Sequence, residues 1–304
     1  MAQLLPSWRD GDTRSAIVDF VGRVDEIPPD ERVAVFDNDG TMWAEKPNYT
    51  QAEFLKFSLG DAITADPELA NKPEYKVLIE HDSDAIHEMG MERIATALLD
   101  LYAGMTPGEF AAEVAEFFET QNHPERGVHY RQTRYQPMLE LMNELRSRDF
   151  DFYIVSAGGA EFVRVIGEEF YGVKPEGVVG SQIDYEFGRG DDGSAQLFRT
   201  NELVASGPNE GPRKPPNIQR ILGRAPSVAG GNSAGDAEML EYAMAYDGPS
   251  LALLVNHDDA EREYEYESVA GSFAADEGIT DTAARLGWTV ISIRDDWETV
   301  FATD

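Results

Sequence analysis

The segment that most constrains the fold is residues 33–43, with the sequence VAVFDNDGTMW. Residues 33–36 form an apolar run of the β-branched and aromatic kind that fills a buried parallel strand. Asp37 and Asp39 follow directly, so the strand directs two carboxylates toward the edge of an α/β sheet where such folds bind ligands. Because buried charges must be paired, hydrogen-bonded or bound to a cation, the segment predicts a functional site. An Asx-rich turn that caps a helix is the purely structural alternative.

The chain is strongly acidic. Its 304 residues carry 57 acidic and 25 basic side chains, a formal net charge of −32. Such a surface repels phosphate, which argues against nucleic acid and anionic membranes as partners. At about 1 M salt the Debye length falls to roughly 3 Å and this repulsion is screened. The charge therefore predicts a halophilic protein adapted to a salty cytoplasm, with an ordinary acidic protein as the alternative.

Cysteine usage and the first residues point to a protein of the cytoplasm. The absence of cysteine excludes disulfides and thiolate chemistry. The N-terminal residues lack the basic and apolar regions of a secretory signal, and no apolar run approaches the length that spans a bilayer. We therefore expect a cytoplasmic protein that does not associate with membranes.

Apolar runs alternate with helical periodicity along much of the chain, which predicts an α/β fold with a Rossmann-like, doubly wound parallel sheet. The predicted strands are residues 33–36, 152–155, 228–231, 251–255 and 288–293. A small β-hairpin is predicted within residues 178–204. Helices are predicted over residues 13–27, 135–148, 161–171, 216–222, 236–245, 258–266 and 281–286.

Residues 44–134 interrupt this alternation with an almost wholly helical pattern. Thr106, Pro107 and Glu109 form a capping-box start with proline at the first helical position. We therefore predict an α/β core domain from residues 1–43 and 135–304, with residues 44–134 inserted as a helical cap domain. The helices predicted within the insertion cover residues 49–59, 76–81, 84–102 and 106–121.

Four separated features follow predicted strands or precede predicted helices. They are Asp37 with Asp39, Ser156, Lys214, and residues 231–236 with the sequence GNSAGD. Because parallel strands end at one edge of their sheet, these groups can converge on one site.

Together the four features support phosphoryl transfer through a covalent carboxyl phosphate. Asp37, directly after the strand, is the candidate nucleophile, and Asp39 is the candidate acid and base. Lys214 would offset negative charge, and Ser156 with the amides of Ala157 and Gly158 would bind phosphate at a helix N-terminus.

Hard oxygen ligands for Mg²⁺ are also present among these residues. The candidate metal ligands are Asp37, the Asp39 carbonyl, Asn232 and Asp236.

In this order the motifs resemble the haloacid dehalogenase (HAD) superfamily, whose motifs are DxDG(T/S), a Ser or Thr, a Lys and GDxxxD. The resemblance implies a Mg²⁺-dependent phosphatase that acts on a small phosphorylated metabolite through an aspartyl-phosphate, with Thr41 of the first motif beside the phosphate. The helical cap between the first two motifs is similar to the C1-type cap of the phosphoserine-phosphatase-like branch. That branch implies that Glu45 and Arg93 contact the substrate.

One position departs from the family pattern. Asn232 stands where the family usually has Asp, and an amide oxygen can ligate Mg²⁺ but brings no charge. The sequence leaves open whether Asn232 or Asp236 contacts the metal directly. A phosphotransferase, or a catalytically weak phosphate-binding or regulatory protein, remains the alternative, and neither the oligomeric state nor the physiological substrate is predicted.

Overall fold

A six-stranded parallel sheet forms the centre of the computed structural model, which describes residues 4–80, 85, 89, 91–204 and 207–303. Across the sheet the strands follow in the order 178–181, 151–159, 33–36, 228–231, 251–256 and 289–292, and every neighbouring pair is parallel. The predicted α/β fold with a Rossmann-like parallel sheet is thereby confirmed. The strands of this sheet are β1 Val33–Phe36, β2 Asp151–Gly159, β3 Val178–Ser181, β6 Val228–Gly231, β7 Leu251–Asn256 and β8 Thr289–Ser292.

The strand β1 lies inside the sheet because all four of its side chains are apolar and buried. Valines of β1 share one buried cluster with Leu254 of β7 and with Met239 and Leu240. The helices that accompany this sheet are α1 Asp12–Gly22, α6 Gln136–Arg146, α7 Ala160–Tyr171, α8 Lys214–Leu222, α9 Ala237–Met244, α10 Ile279–Leu286 and α11 Ile293–Asp296.

The chain divides into two compact units. The first comprises Met1–Pro47, Asn122–Ser181 and Pro208–Asp304, and the second comprises Asn48–Gln121 and Gln182–Gly207. Among its described residues, the second unit contains α-helices and an antiparallel hairpin. Its elements are α2 Thr50–Ala65, α3 Pro73–Ile79, α4 Met91–Leu99, α5 Pro107–Thr120, β4 Ile183–Arg189 and β5 Ala195–Leu203.

The hairpin belongs with the helices of the second unit because Arg199 links them. Its backbone pairs with Gly104 and Met105 at 2.8 Å each, and its guanidinium lies 3.7 Å from the centre of the Phe110 ring. This grouping, with bounds at 48 and 121, differs from the division at 44 and 134 drawn from the sequence. The division into a core domain and a helical cap domain stays a prediction.

Most helices lie close to their predicted positions. The capping box of α5 is present, with Thr106 and Glu109 exchanging hydrogen bonds. In the predicted helix 84–102 the structure has α4 followed by a 3₁₀ turn at Asp100–Tyr102. Residues 84, 86–88 and 90, with His81 of another predicted helix, lie outside the described residues.

Two predictions of local structure are wrong. Residues 178–181, expected in the hairpin, pair with β2 in the parallel sheet. Residues 258–266, expected to be helical, form a loop, because the Asp259 carboxylate accepts hydrogen bonds from the backbone of Glu261 and Arg262. Such local bonds compete with helix formation.

Within the described ranges, no helix is both long and apolar enough to cross a membrane.

Candidate active site

Asp37 lies where the sequence predicts it, directly after β1. Its backbone N–H donates to the Gly230 carbonyl of β6 at 2.9 Å, so the end of β1 is fixed against the neighbouring strand. The side chain is buried, with 7% of the residue's surface exposed. A carboxylate is thus held at the carboxyl edge of the sheet.

Lys214 joins three of the predicted features at one ammonium group. It is the first residue of α8, and only 1% of it is exposed. Its Nζ donates to Asp37 Oδ1 at 2.7 Å, to Asp236 Oδ1 at 2.6 Å and to the Val155 carbonyl at 2.8 Å. All three donor positions of the ammonium are therefore used.

Negative charge exceeds positive charge around this lysine. Burial raises the pKa of Asp37 well above its usual value, and Asp236 raises it further against the opposing effect of Lys214. Burial alone would lower the pKa of Lys214, but Asp236 and Asp37 more than offset this and raise it. The site therefore favours the binding of an additional cation.

Asp39 is a half-buried carboxyl whose Oδ1 accepts a hydrogen bond from the Trp43 indole N–H at 3.0 Å. Burial, followed by repulsion from Glu45, raises the pKa of Asp39 to about 7. A group with this pKa can both give and take a proton near neutral pH. The sequence offers no signal for the Trp43 contact, because a tryptophan beside a motif is equally consistent with packing.

The segment after β6 brings Asn232 and Asp236 to the same edge of the sheet. Asp236 Oδ2 accepts the backbone N–H groups of Asn232 and Ser233 at 3.0 Å each, and the Ser233 hydroxyl at 3.3 Å. Since Oδ1 accepts from Lys214, both oxygens of Asp236 are occupied. Asp236 thus holds the loop and the lysine in place.

Asn232, which is 2% exposed, lies against the Asp37–Thr41 loop. Its Oδ1 is 3.4 Å from the Thr41 hydroxyl, and its Nδ2 is 3.3 Å from the Ser268 hydroxyl. Gly40 permits this close approach. Its φ is +73°, and a Cβ at this position would lie 2.1 Å from Asn232 Nδ2.

Ser156 is fully buried and lies within β2, which continues to Gly159, rather than after the strand as the sequence predicts. Its hydroxyl oxygen accepts the Gly158 N–H at 2.9 Å, so this amide is engaged in the structure. Asn209, which the sequence analysis missed, fixes the segment by donating from Nδ2 to the carbonyls of Ser156 and Val179 at 3.0 and 3.2 Å. The roles of Ser156, Ala157 and Gly158 toward phosphate stay predictions.

The two residues assigned to substrate contacts lie in different surroundings. Glu45 is 5% exposed. Burial raises its pKa, although His257 and Lys46 act in the opposite direction and lower it. Arg93 lies on α4 of the second unit, where its exposed guanidinium pairs with Glu74 at 2.5 Å. Their contacts with substrate stay predictions.

His257 supports the motif loop from the end of β7. Its Nε2 is 2.8 Å from the Gly40 carbonyl, and its Nδ1 is 3.0 Å from Glu263 Oε2. The carbonyl can only accept, so Nε2 carries a proton. Tyr135 donates to the other Glu263 oxygen at 2.9 Å. The sequence signal that could have identified His257 is its position as a polar residue directly after a strand.

The donor set consists of mixed oxygen ligands and fits a hard cation. No group of three His, Cys, Asp or Glu side chains that could hold a metal occurs among the residues that the structure describes. Mg²⁺ nevertheless binds oxygens of the types present here, which are a carboxylate oxygen of Asp37, the carbonyl oxygen of Asp39 and the amide oxygen of Asn232. Asp236 is the least suited of the predicted ligands because both of its oxygens are already occupied.

The family model for haloacid dehalogenase-like hydrolases matches residues 34–241 of this chain. No curated protein gives a significant match.

Solved structures resemble the chain at low sequence identity. A conserved protein of unknown function from Anaerococcus prevotii DSM 20548 is 14% identical, with a TM-score of 0.54 over 90% of this chain and 100% of that one. A protein of unknown function from Bordetella pertussis Tohama I is 18% identical, with a TM-score of 0.55 over 86% of this chain and 98% of that one. A phosphoserine phosphohydrolase-like protein from Francisella tularensis subsp. tularensis SCHU S4 is 16% identical, with a TM-score of 0.38 over 84% and 99% of the two chains. The first two support the fold, and the third is too distant to support an inference.

Proposed function

This chain belongs to the haloacid dehalogenase-like hydrolases, and from that premise we propose that it is a Mg²⁺-dependent phosphatase acting on a small phosphorylated metabolite. The observation that carries the proposal is the ammonium of Lys214, held between Asp37 and Asp236 at 2.7 and 2.6 Å. It joins separated parts of the chain around one buried carboxylate at the edge of the sheet.

In the first step Asp37 acts as the nucleophile. One of its oxygens forms a bond to phosphorus while the bond between phosphorus and the substrate oxygen breaks. Asp39, with its pKa of about 7, gives its proton to the departing oxygen, which leaves as an alcohol. Lys214 offsets negative charge on Asp37 and on the phosphoryl group.

In the second step Asp39 acts as a base. It removes a proton from water, the water oxygen bonds to phosphorus, and the bond between phosphorus and Asp37 breaks. Inorganic phosphate leaves, and Asp39 is again protonated for the next cycle. The same residue serves both steps because its pKa lies near neutral pH.

Mg²⁺ would be held by Asp37, the Asp39 carbonyl and Asn232, and when bound it supplies positive charge for the phosphoryl oxygens. Other residues of the chain position these candidate ligands. Gly40 allows the close approach of Asn232, and Asp236 fixes the backbone of Asn232 and Ser233.

The substrate class follows from the same groups. Ser156 with the Ala157 and Gly158 segment, and Thr41, are proposed to contact the phosphate, and Arg93 is proposed to contact the rest of the substrate. The net charge of −32 disfavours polyanionic partners such as nucleic acid. It also favours salt-rich cytoplasm as the working environment, because salt screens repulsion of the phosphate ester.

The test is hydrolysis of a generic aryl phosphate in concentrated KCl, with Mg²⁺ and with a chelator. We expect Mg²⁺-dependent turnover that Asp37→Asn abolishes, with Lys174→Met as a control at an exposed lysine. Turnover that persists in Asp37→Asn contradicts the nucleophile. Mg²⁺ binding without turnover across a broad phosphate panel favours a phosphate-binding or regulatory role instead.

A further inference from the structure

We propose that Asn209 and Ser181 are positioning residues that hold the segment 156–158 out of regular pairing with β3, in the conformation that binds the phosphoryl group of the substrate. This inference rests on the proposed function, because that function assigns phosphate contacts to this segment. Neither residue belongs to the four sequence motifs, and both act through backbone carbonyls of the segment.

The pairing of β2 with β3 is irregular at the segment that is proposed to bind phosphate. Val155 pairs with Val179 and Gly159 pairs with Ser181, with a shift of register between the two pairs. Residues 156–158 of β2 therefore lie opposite a single residue of β3. Bulges of this kind bend the strand, re-aim its side chains and are common beside active sites.

Gly180, the residue of β3 opposite the bulge, leaves room for it. A Cβ at this position would lie 2.9 Å from the Gly158 carbonyl oxygen and 2.8 Å from both the backbone nitrogen and the Cα of Ala160. Glycine within a strand often marks such a close approach of two backbones. The bulge and the first residue of α7 thus pack against a position of β3 that has no side chain.

Side chains supply hydrogen bonds to the backbone where the register shifts. Asn209 Nδ2 donates to the Ser156 carbonyl of β2 at 3.0 Å and to the Val179 carbonyl of β3 at 3.2 Å, so its NH₂ group bridges the two strands. The Ser181 hydroxyl donates to the Ala157 carbonyl at 2.6 Å. Because buried backbone carbonyls need hydrogen-bond partners, these donors stabilise the bulged arrangement.

Asn209 is itself held in one orientation. It is fully buried, and its backbone N–H donates to the Ser181 hydroxyl oxygen at 2.9 Å. Its Oδ1 accepts from Asn217 Nδ2 at 2.9 Å. The two carbonyls that it contacts can only accept, so its NH₂ group must face them. No titratable group takes part in these bonds.

The bulge determines which groups the segment presents to a ligand. The Ser156 hydroxyl oxygen accepts the Gly158 N–H at 2.9 Å, so the segment is folded on itself before it enters α7 at Ala160. In a regular parallel ladder, amides of this segment would pair with carbonyls of β3 instead. The bonds from Asn209 and Ser181 oppose that pairing.

A purely structural role must be separated from this one. Asn209 could stabilise the fold without any effect on the phosphate contacts. In that case its removal would lower the thermal midpoint, but the folded molecules would bind inorganic phosphate with the affinity of the wild type. A positioning role requires that the affinity for phosphate falls in molecules that are fully folded.

The experiment is calorimetric titration of inorganic phosphate into the wild type, Asn209→Leu and Ser181→Ala, with Mg²⁺ in concentrated KCl, at a temperature where circular dichroism shows each protein to be folded. We expect Asn209→Leu to weaken phosphate affinity by about 10- to 100-fold, because a misplacement of about 1 Å can cost as much as about 100-fold. We expect Ser181→Ala to weaken it by about 3- to 10-fold, the loss of one hydrogen bond. The KM for an aryl phosphate should rise by the same factors.

Two control variants complete the test. Asn143→Leu makes the same substitution at an exposed asparagine, and Ile17→Ala lowers stability from a buried position on α1. We expect both to bind phosphate within about threefold of the wild type, because neither residue contacts the segment. A loss in Ile17→Ala as large as that in Asn209→Leu would show that phosphate affinity merely follows stability, and it would contradict the inference.

The outcomes also separate this inference from the proposed function. A wild type that neither binds phosphate nor hydrolyses the aryl phosphate overturns both together. A wild type that binds phosphate, with unchanged affinity in Asn209→Leu, overturns this inference alone. If Asn209→Leu does not fold, Ser181→Ala decides in the same way, since it removes a single bond to the segment.

Discussion

At the scale of single residues, Lys214 determines how the candidate site is held together. Its three hydrogen bonds are to Asp37, Asp236 and the Val155 carbonyl, so its removal leaves two buried carboxylates without a counter-ion. Leaving a buried charge unpaired costs about 3–5 kcal/mol.

We therefore expect Lys214→Met to abolish turnover and to lower the free energy of unfolding at neutral pH by about 3–5 kcal/mol. Urea unfolding measures the change, with Lys174→Met as the exposed control. A stability equal to that of the control variant would show that the carboxylates do not depend on this ammonium.

Asp39 gives a prediction about pH. Its pKa is about 7 in the folded chain against an ordinary 3.8, so in metal-free protein the native state binds a proton that the unfolded state releases. Stability therefore falls as pH rises from about 4 to about 7, and the full cost is present above that window.

Asp39→Asn removes this titration. In chelator we expect the variant to be more stable than wild type at about pH 8, by roughly 1–2 kcal/mol after allowance for partial solvent screening. The difference should vanish at about pH 4. Thermal unfolding of both proteins across this range measures it, and a difference that is independent of pH contradicts the raised pKa.

The sequence was sufficient to predict the participants at the site but not their contacts. Asp37, Lys214 and Asp236 were predictable because strand ends and motif order limit where such groups can lie. The three bonds of the Lys214 ammonium and the Trp43 contact with Asp39 depend on side-chain directions, which periodicity does not encode. Asn209 carries no local pattern that separates it from an ordinary loop asparagine.

At the scale of elements, the loop after β7 supports the motif loop through a buried, hydrogen-bonded pair of side chains. His257 bonds to the Gly40 carbonyl and to Glu263, and both side chains are buried. Removing one partner of a buried hydrogen bond leaves the other unsatisfied and is costly, whereas replacing both with apolar groups can be nearly neutral.

We expect His257→Phe to lower the free energy of unfolding by about 1–3 kcal/mol, and the additional change Glu263→Leu to restore part of that loss. Chemical denaturation of the single and double variants provides the comparison. If the double variant is less stable than His257→Phe alone, the stability lost in His257→Phe does not come from Glu263, and the prediction is wrong.

Elements were predictable where local pattern and tertiary role agree. The run VAVF becomes a buried strand, and the Thr106 capping box begins α5. Residues 258–266 have helical periodicity, yet Asp259 bonds to its own following backbone and the Arg262 guanidinium bonds to carbonyls of Trp297 and Ile293. These distant partners outweigh local helix propensity.

At the scale of the whole molecule, the formal charge of −32 predicts a dependence on salt. Self-repulsion destabilises the compact state, and salt screens it as the Debye length falls from about 10 Å at 0.1 M to about 3 Å at 1 M. The thermal midpoint should rise by several degrees between these KCl concentrations. Sucrose at matched osmolality should reproduce less of the rise, and a midpoint that is flat or falls with KCl contradicts adaptation to salt.

The proposed mechanism requires that Asp37 carry the phosphoryl group. The most direct test is to quench turnover of a labelled phosphate ester in acid and to map covalent phosphate on the digested chain. We expect a hydroxylamine-labile acyl phosphate on the peptide that contains Asp37, and none in Asp37→Asn. Phosphate on another residue, or turnover by Asp37→Asn, would contradict it.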